Sequence, residues 1–368
     1  MKKIPFLRWI FFSLNILAAF ALLLSYTASF IDPKAIWMIA FFGLAYPFLL
    51  LINILFVIYW LFRLKLHILL SLAVIIAGWQ HHQNIFAFRS EKQTTVKSDS
   101  TLKVLSYNAH LFKAFTSNKY EKKTKHEMLG MLIEEQAGVL CFQEFYTRKR
   151  GEYAIKDSLM KYAKLPYVYM EDFDTIDAEV LAIATFSKYP IVHKEHLRFY
   201  ERKHANTCII TDIKFGKDTI RVFNIHLQSI NFQPEDYEYL DKVTQKAETD
   251  VKSSKRIGSR LKQAFIRRSN QAELVADAIM DSPYPVIVCG DFNDTPISFA
   301  YHTIMKSKEL KNTFREKGSG FGITYGGAFP NFQIDYILCD PSFRVNSYHV
   351  IKKKYSDHYP IAAEINIP

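Results

Sequence analysis

The sequence predicts a layered α+β domain over residues 101–368, two sheets packed face to face with helices outside, preceded by an apolar helical region over residues 1–80. Three observations carry this. Short runs rich in Val, Ile and aromatic residues recur at strand length from residue 102 onward. Charged stretches with helical spacing interrupt them, at about 120–136 and 254–280. Three long apolar stretches fill the first eighty residues. Many short strands with interspersed helices bury their apolar faces by stacking two sheets and covering them with helices, and a chain of this length allows one such core beside a second unit.

The apolar stretches run from about 6–31, 35–62 and 66–79. The first two exceed the ~20 residues that a helix needs to cross a hydrocarbon core. The first is too long for a signal-peptide core and is followed directly by another span. Lys2, Lys3 and Arg8 precede the first stretch and Arg63 and Lys65 follow the second, while Asp32 and Lys34 cancel between them. The positive-inside rule then puts the N-terminus and the Arg63/Lys65 turn in the cytoplasm. With the third stretch crossing, the chain is a multi-pass protein of the cell membrane whose globular domain is extracytoplasmic. Residues 81–100, ending in the polar run SEKQTTVKSDS, read as a linker.

Charge supports the same division. Residues 1–100 hold nine basic and three acidic residues out of 47 and 36 in the chain, so residues 101–368 carry 38 against 33. A net +5 on the globular part permits a polyanionic substrate without demanding one. Cys141, Cys208, Cys289 and Cys339 each sit in an apolar, strand-like run without CxxC spacing, and read as small buried hydrophobes. The basic stretch at 256–268 reads as a solvated helix face.

Strands are expected at 102–108, 138–144, 181–186, 207–215, 219–226, 286–291, 334–339 and 362–367. Reactive polar residues recur just past these apolar runs: Asn108, Glu144, His226 with Gln228, Asp291 with Asn293, Asp335, and Asp357 with His358. A doubly buried strand cannot hide a carboxylate, so such groups emerge at sheet edges, where they can converge. Carboxylates, amides and imidazoles without a nucleophilic Ser or Cys point to hydrolysis by activated water with a hard metal ion.

Seven short segments now fall in order: LSYN at 105–108, LCFQE at 140–144, IATFSKYP at 183–190, NIHLQS at 224–229, CGDFN at 289–293, IDYI at 334–337 and SDH at 356–358. In this order they resemble the endonuclease/exonuclease/phosphatase superfamily, which implies a four-layered sandwich of two mixed sheets and Mg²⁺-dependent phosphoester hydrolysis, with Mn²⁺ as the alternative ion. The resemblance implies Glu144, Asn108 and Asp357 around the metal, and Asp291 as the base for water. Asn293, His226 and Asn108 would meet the phosphate, beside His358 held by Asp335. Gln333 stands where many relatives carry Arg, and His110 where some nuclease branches carry Asp.

The expected substrate is a phosphate ester, nucleic acid being slightly favoured over phospholipid or small organic phosphate. The bilayer is the other expected partner, and no obligate protein partner is evident. A silent, membrane-bound binding module is the alternative from another class. The glycine-rich loop 318–327 lacks a P-loop ending and reads as a rim ahead of the IDYI strand.

Overall fold

The computed structural model describes residues 4–88, 100–113, 119–246, 248–327 and 331–368. It opens with helices α1 (Ile4–Thr27), α2 (Pro33–Phe62), α3 (Ile68–Ala77) and α4 (Trp79–Ile85), then strand β1 (Phe86–Phe88). Next come β2 (Thr101–Asn108), α5 (Lys119–Glu134), β3 (Val139–Arg148), α6 (Ile155–Tyr162), β4 (Tyr167–Ile176), β5 (Glu179–Ser187) and β6 (Ile191–Leu197). β7 (Thr207–Phe215) and β8 (Asp218–His226) precede α7 (Pro234–Lys246), α8 (Val251–Met280), β9 (Val286–Asp291) and α9 (Phe299–Ser307). The chain closes with β10 (Lys311–Asn312), α10 (Thr313–Lys317), β11 (Ser319–Phe321), β12 (Asp335–Cys339), β13 (Arg344–Val350) and β14 (Ile361–Asn366).

Two six-stranded sheets, ordered β13-β14-β2-β3-β5-β4 and β10-β12-β9-β8-β7-β6, form the centre. Each is mixed, with one parallel pair, β2·β3 in the first and β8·β9 in the second. Apolar residues of both sheets, including Val104, Cys141, Val222, Ile287 and Ile337, fill the space between them. Met128 and Leu132 of α5 with Leu159 of α6 cover the outer face of the first sheet. Ala272, Val275 and Ile279 of α8, with Ile304 of α9, cover the second. This is the four-layered sandwich. The four cysteines are free and buried, packed as small hydrophobes.

The strands absent from the sequence reading are chiefly edge strands: β4 and β13 bound one sheet, β6 and β10 the other. An edge strand faces solvent along one side and tolerates charge, and β6 (IVHKEHL) shows that pattern. Residues 81–88, within the stretch read as linker, complete α4 and form β1, which pairs with β11 in the glycine-rich loop. The rest of that stretch, 89–99, lies outside the described residues.

α1 and α2 are each long and apolar enough to cross a membrane, and over that length most of their residues are not buried. α3 has 10 residues, about 15 Å of helix against the ~30 Å of a hydrocarbon core. Polar groups point inward between these helices. Asn15 Nδ2 donates to Ser71 Oγ, Trp60 Nε1 donates to Asn15 Oδ1 at 2.8 Å, and Ser71 Oγ donates to Asn53 Oδ1 at 2.9 Å. Leu17, Phe20, Leu51, Leu55 and Phe62 face outward. α2 comes close to the turn after α1 at Gly43, where a Cβ would lie 2.7 Å from that of Ala28.

The helical region docks on the sandwich through one end. Ser269 Oγ donates to Asp32 at 2.7 Å, Lys34 Nζ lies 2.6 Å from Glu273, and Ser29 Oγ donates to the Ile297 carbonyl at 2.9 Å. The first turns of α2 lie along α8, where Phe41 meets Phe265 edge to face at 5.3 Å and Lys262 sits over Trp37 at 4.8 Å.

Candidate active site

Strand register places the reactive residues. Asp291 ends β9 with His226 opposite it on β8 and Asp335 opposite it on β12, so the three form a row across one sheet. The preceding glycine is required for this. A Cβ at Gly290 would stand 1.9 Å from the carbonyl oxygen of Ile225, so only glycine lets β8 approach there. On the facing sheet Asn108 ends β2 beside Gln143 of β3.

Glu144 reaches the same place by a different device. β3 carries a bulge between Phe142 and Phe145, each packed in the core under α5 and α6. Glu144 sits in it with φ +48°, and Asn293 across the cleft has φ +52°. A bulge re-aims a side chain, and left-handed backbone in non-glycine residues clusters at functional sites. The turn thus aims the Glu144 carboxylate into the cleft instead of the core.

The side chains converge on the Asp291 carboxylate. Asn108 Nδ2 donates to Asp291 Oδ2 at 3.0 Å and lies 3.5 Å from Glu144 Oε1. His226 Nε2 and His358 Nε2 each stand 3.7 Å from Asp291 Oδ2. Asn293 N–H donates to Asp291 Oδ1 at 2.8 Å, while its side-chain amide donates to the Leu227 carbonyl at 3.0 Å. His358 Nδ1 faces Asp335 Oδ2 at 3.0 Å, and His226 Nδ1 faces the Ala205 carbonyl at 3.2 Å. Asp357 Oδ1 lies 2.9 Å from His110 Nδ1 and accepts from Ser356 Oγ at 3.1 Å. Eight of the nine residues singled out in the sequence are thereby brought together, seven bordering one cleft of about 220 Å³ and Asp335 directly behind His358, whereas the Gln228 side chain lies outside the cleft lining, bonded to the Tyr200 hydroxyl and the Ser229 carbonyl.

Burial by itself would depress the His358 pKa, but Asp335 and Asp291 more than offset this and raise it to about 10. Burial pushes the Asp335 carboxyl up as well. Two carboxylates around one imidazole keep the shared proton on His358. Asp357 is driven the opposite way: burial would raise it, yet the His110 hydrogen bond and the His358 charge hold it well below the usual carboxylate range.

Two places invite a cation. Ligand atoms of Asp291, Asp335 and His358 lie within 4.8 Å of one another, but a protonated His358 offers no lone pair there. The position beside Glu144 and Asn108, flanked by Asp357, fits better. The carboxylate oxygens of Glu144 and Asp357 there are donors of the kind a hard divalent ion takes, and Glu144 is partly solvent-open. Four carboxyl groups, those of Glu144, Asp291, Asp335 and Asp357, border or adjoin the cleft, so an anion entering it needs a cation's charge.

Sequence reasoning missed other parts of the site. Arg268, at the end of the stretch read as a solvated face, is 1% exposed and lies 3.4 Å from Asp294, both bordering the cleft. Arg256 and Arg260 are engaged as well, at 2.6 and 3.0 Å from Asp236. Tyr325 of the glycine-rich loop bridges to His358 by backbone and packs edge-on against its ring at 5.2 Å. Leu44 of α2 forms part of the cleft wall with Ile230, Phe232, Leu261 and Phe265. Only Arg268 left a trace in sequence, as the last basic residue of an amphipathic helix whose apolar positions continue beyond it.

Comparison with known proteins agrees with this architecture. The structure from Beutenbergia cavernae DSM 12333 titled endonuclease/exonuclease/phosphatase is 16% identical, with 73% of this chain and 72% of that one covered at a TM-score of 0.52. A family protein of the same title from Bacteroides thetaiotaomicron is 18% identical over 72% and 97% of the two chains, also at 0.52. One from Bacteroides vulgatus is 17% identical over 73% and 99%, at 0.51. At such identities these matches show the fold. No curated protein matches the chain. A family model described as a domain of unknown function covers residues 8–85. The model of the Endonuclease/Exonuclease/phosphatase family covers residues 105–358, from the LSYN motif to the histidine of SDH. On that match over more than half its length, and on a four-layered fold that gathers the same motifs in one cleft, the chain belongs to the endonuclease/exonuclease/phosphatase family.

Proposed function

We propose that the chain is a membrane-anchored, divalent-metal-dependent phosphoesterase. The observation that carries the chemistry is the convergence of Asn108, Glu144, His226, Asp291, Asn293 and His358 on one cleft. Glu144, Asn108 and Asp357 would hold Mg²⁺ or Mn²⁺, which when bound neutralises phosphoryl oxygen charge and acidifies water. Asp291 takes a proton from the attacking water, whose oxygen bonds to phosphorus as the ester P–O bond breaks. The leaving alkoxide regains a proton from solvent. His358, kept cationic by Asp335, and His226 face the phosphoryl oxygens as charge builds. Asn293 has a second amide N–H for the same purpose.

The anchor reading rests on the inside-out pattern of α1 to α3, apolar side chains outward and hydrogen-bonded polar ones inward, as in membrane bundles. A core helix of a soluble protein would be mostly buried, and a cleaved signal sequence would not share hydrogen bonds with α2 and α3. Arg8, Arg63 and Lys65 cluster at the bundle end away from the sandwich, so the positive-inside rule favours an extracytoplasmic catalytic domain. In this division residues 1–80 anchor, 81–100 connect and 101–368 catalyse.

The test is hydrolysis of a bis-aryl phosphodiester by the full chain in detergent. Turnover should need Mg²⁺ or Mn²⁺, vanish with a chelator, and fall at least ~10³-fold in Glu144→Ala and Asp291→Ala. Metal-independent turnover, or full activity in Asp291→Ala, would sink the proposal.

A further inference from the structure

We infer that the substrate is a membrane lipid bearing a phosphate ester, with its phosphate in the cleft and an apolar chain in a neighbouring cavity. This rests on the phosphoesterase reading and assigns its substrate class. The cavity measures about 430 Å³ and lies between α2, the 295–297 segment and residues 321–323 and 331–333, a volume within the roughly 300–1,000 Å³ of small-molecule sites. Its walls are apolar, among them Pro47, Phe48, Ile297, Phe321 and Ile323. Thr295 and Phe332 border both this cavity and the cleft, so the two lie side by side across these residues.

Two features say what occupies it. The first is Gln333, 6% exposed, whose side-chain oxygen and nitrogen both lack a partner while bordering the cavity. An unsatisfied buried amide is costly, and an ester carbonyl or a hydroxyl beside an apolar chain would satisfy it. The second is position. The cavity opens against residues 43–48 of α2, at the level where Tyr26 and Tyr46 of the bundle meet the His81-His82 turn. Beyond this level α2 turns apolar side chains outward, Leu51, Leu55 and Phe62 among them, so the cavity mouth lies at the head of that outward apolar face. Phe48 and Phe321, 51% and 62% exposed, stand at the rim. A lipid could therefore move from the bilayer past these rings with its chain sheltered throughout and its phosphate delivered to His226 and His358. Leu44 continues the apolar path into the cleft itself.

The test places the full chain in nanodiscs of phosphatidylcholine with a phosphatidic acid carrying a diazirine in its acyl chain. Photolabelling should fall on residues 295–297, 321–323 and 331–333 as well as on residues 43–48. Dioleoyl phosphatidic acid should compete with a bis-aryl phosphodiester, raising its KM at least tenfold. Ile323→Trp, which fills the cavity, should lose the labelling on 295–297, 321–323 and 331–333 and most of the competition, with near-UV circular dichroism reporting that it is folded. Gln333→Leu should weaken the competition about fivefold, the worth of one hydrogen bond. Labelling confined to the outer faces of α1 to α3, or unchanged in Ile323→Trp, would overturn the inference. So would plasmid DNA competing better than the lipid. Failure of the wild type to hydrolyse the bis-aryl ester overturns the phosphoesterase reading, whereas hydrolysis without lipid competition overturns the lipid assignment alone.

Discussion

Arg268→Met removes the guanidinium beneath the cleft and keeps a linear side chain of similar reach. Arg268 is fully buried in α8 and lies 3.4 Å from the Asp294 carboxylate, which is itself 6% exposed. Without Arg268, Asp294 keeps neutral donors, the Thr295 N–H at 3.0 Å and the Ser298 hydroxyl. Stranding one member of a buried ion pair costs about 3–5 kcal/mol. Burial already pushes the Asp294 carboxyl up even with Arg268 beside it, so in the variant it rises further and can take a proton. A folded-state pKa above the unfolded one gives stability present below the unfolded value and lost as pH rises through the folded value. The deficit of Arg268→Met should therefore be small near pH 4 and grow towards pH 8. Asp294→Asn added to it should recover more than half of the loss at neutral pH. The assay is denaturant unfolding of the full chain in one detergent, followed by tryptophan fluorescence, across this pH range. A deficit below about 1 kcal/mol at pH 8, or a double variant no better than the single one, would refute the assignment of Arg268 as a buried counter-ion.

Two further outcomes concern His110 and Glu135. His110→Ala frees Asp357 from its 2.9 Å partner and should raise the Mg²⁺ concentration for half-maximal turnover by about 10–100-fold; an unchanged metal titration would remove His110 from the site. Glu135 is held down at about 2, chiefly by the hydrogen bond from His349, against the opposing effect of burial and with help from Lys103 at 2.7 Å. Its depressed pKa contributes stability above pH ~4.5 that is lost as pH falls towards 2. Allowing for partial exposure this is about 1–2 kcal/mol, and Glu135→Gln should remove it, flattening the acid side of the stability profile.

The apolar pattern of a doubly covered strand is written in consecutive residues, so β2, β3, β8, β9 and β12 were legible from the sequence. So was the clustering of Asn108, Glu144, His226, Asp291, Asp335 and His358 at one edge, because a carboxylate at the end of such a run must leave the core. The edge strands β4, β6 and β13 were not, since a strand paired on one side needs no continuous apolar run. Local sequence likewise carries no sign that the β3 bulge turns Glu144 into the cleft while Phe142 and Phe145 stay in the core. That depends on the register against β5.

Contacts between residues far apart in the chain belong to the tertiary structure alone. In sequence, the end of the 256–268 stretch is one more basic position on an amphipathic helix; Asp294, twenty-six residues later, makes Arg268 a buried ion. Leu44 reads as one apolar residue within the 35–62 span. Packing of α2 on α8 makes it a wall of the cleft and joins the anchor to the site. Gln333 is a single departure from a motif in sequence, and becomes an unsatisfied amide only where α2 and the glycine-rich loop enclose it. Side-chain type and strand periodicity thus determined which groups could do chemistry, whereas long-range packing decided what surrounds them, because burial and pairing are set by neighbours that sequence proximity does not supply.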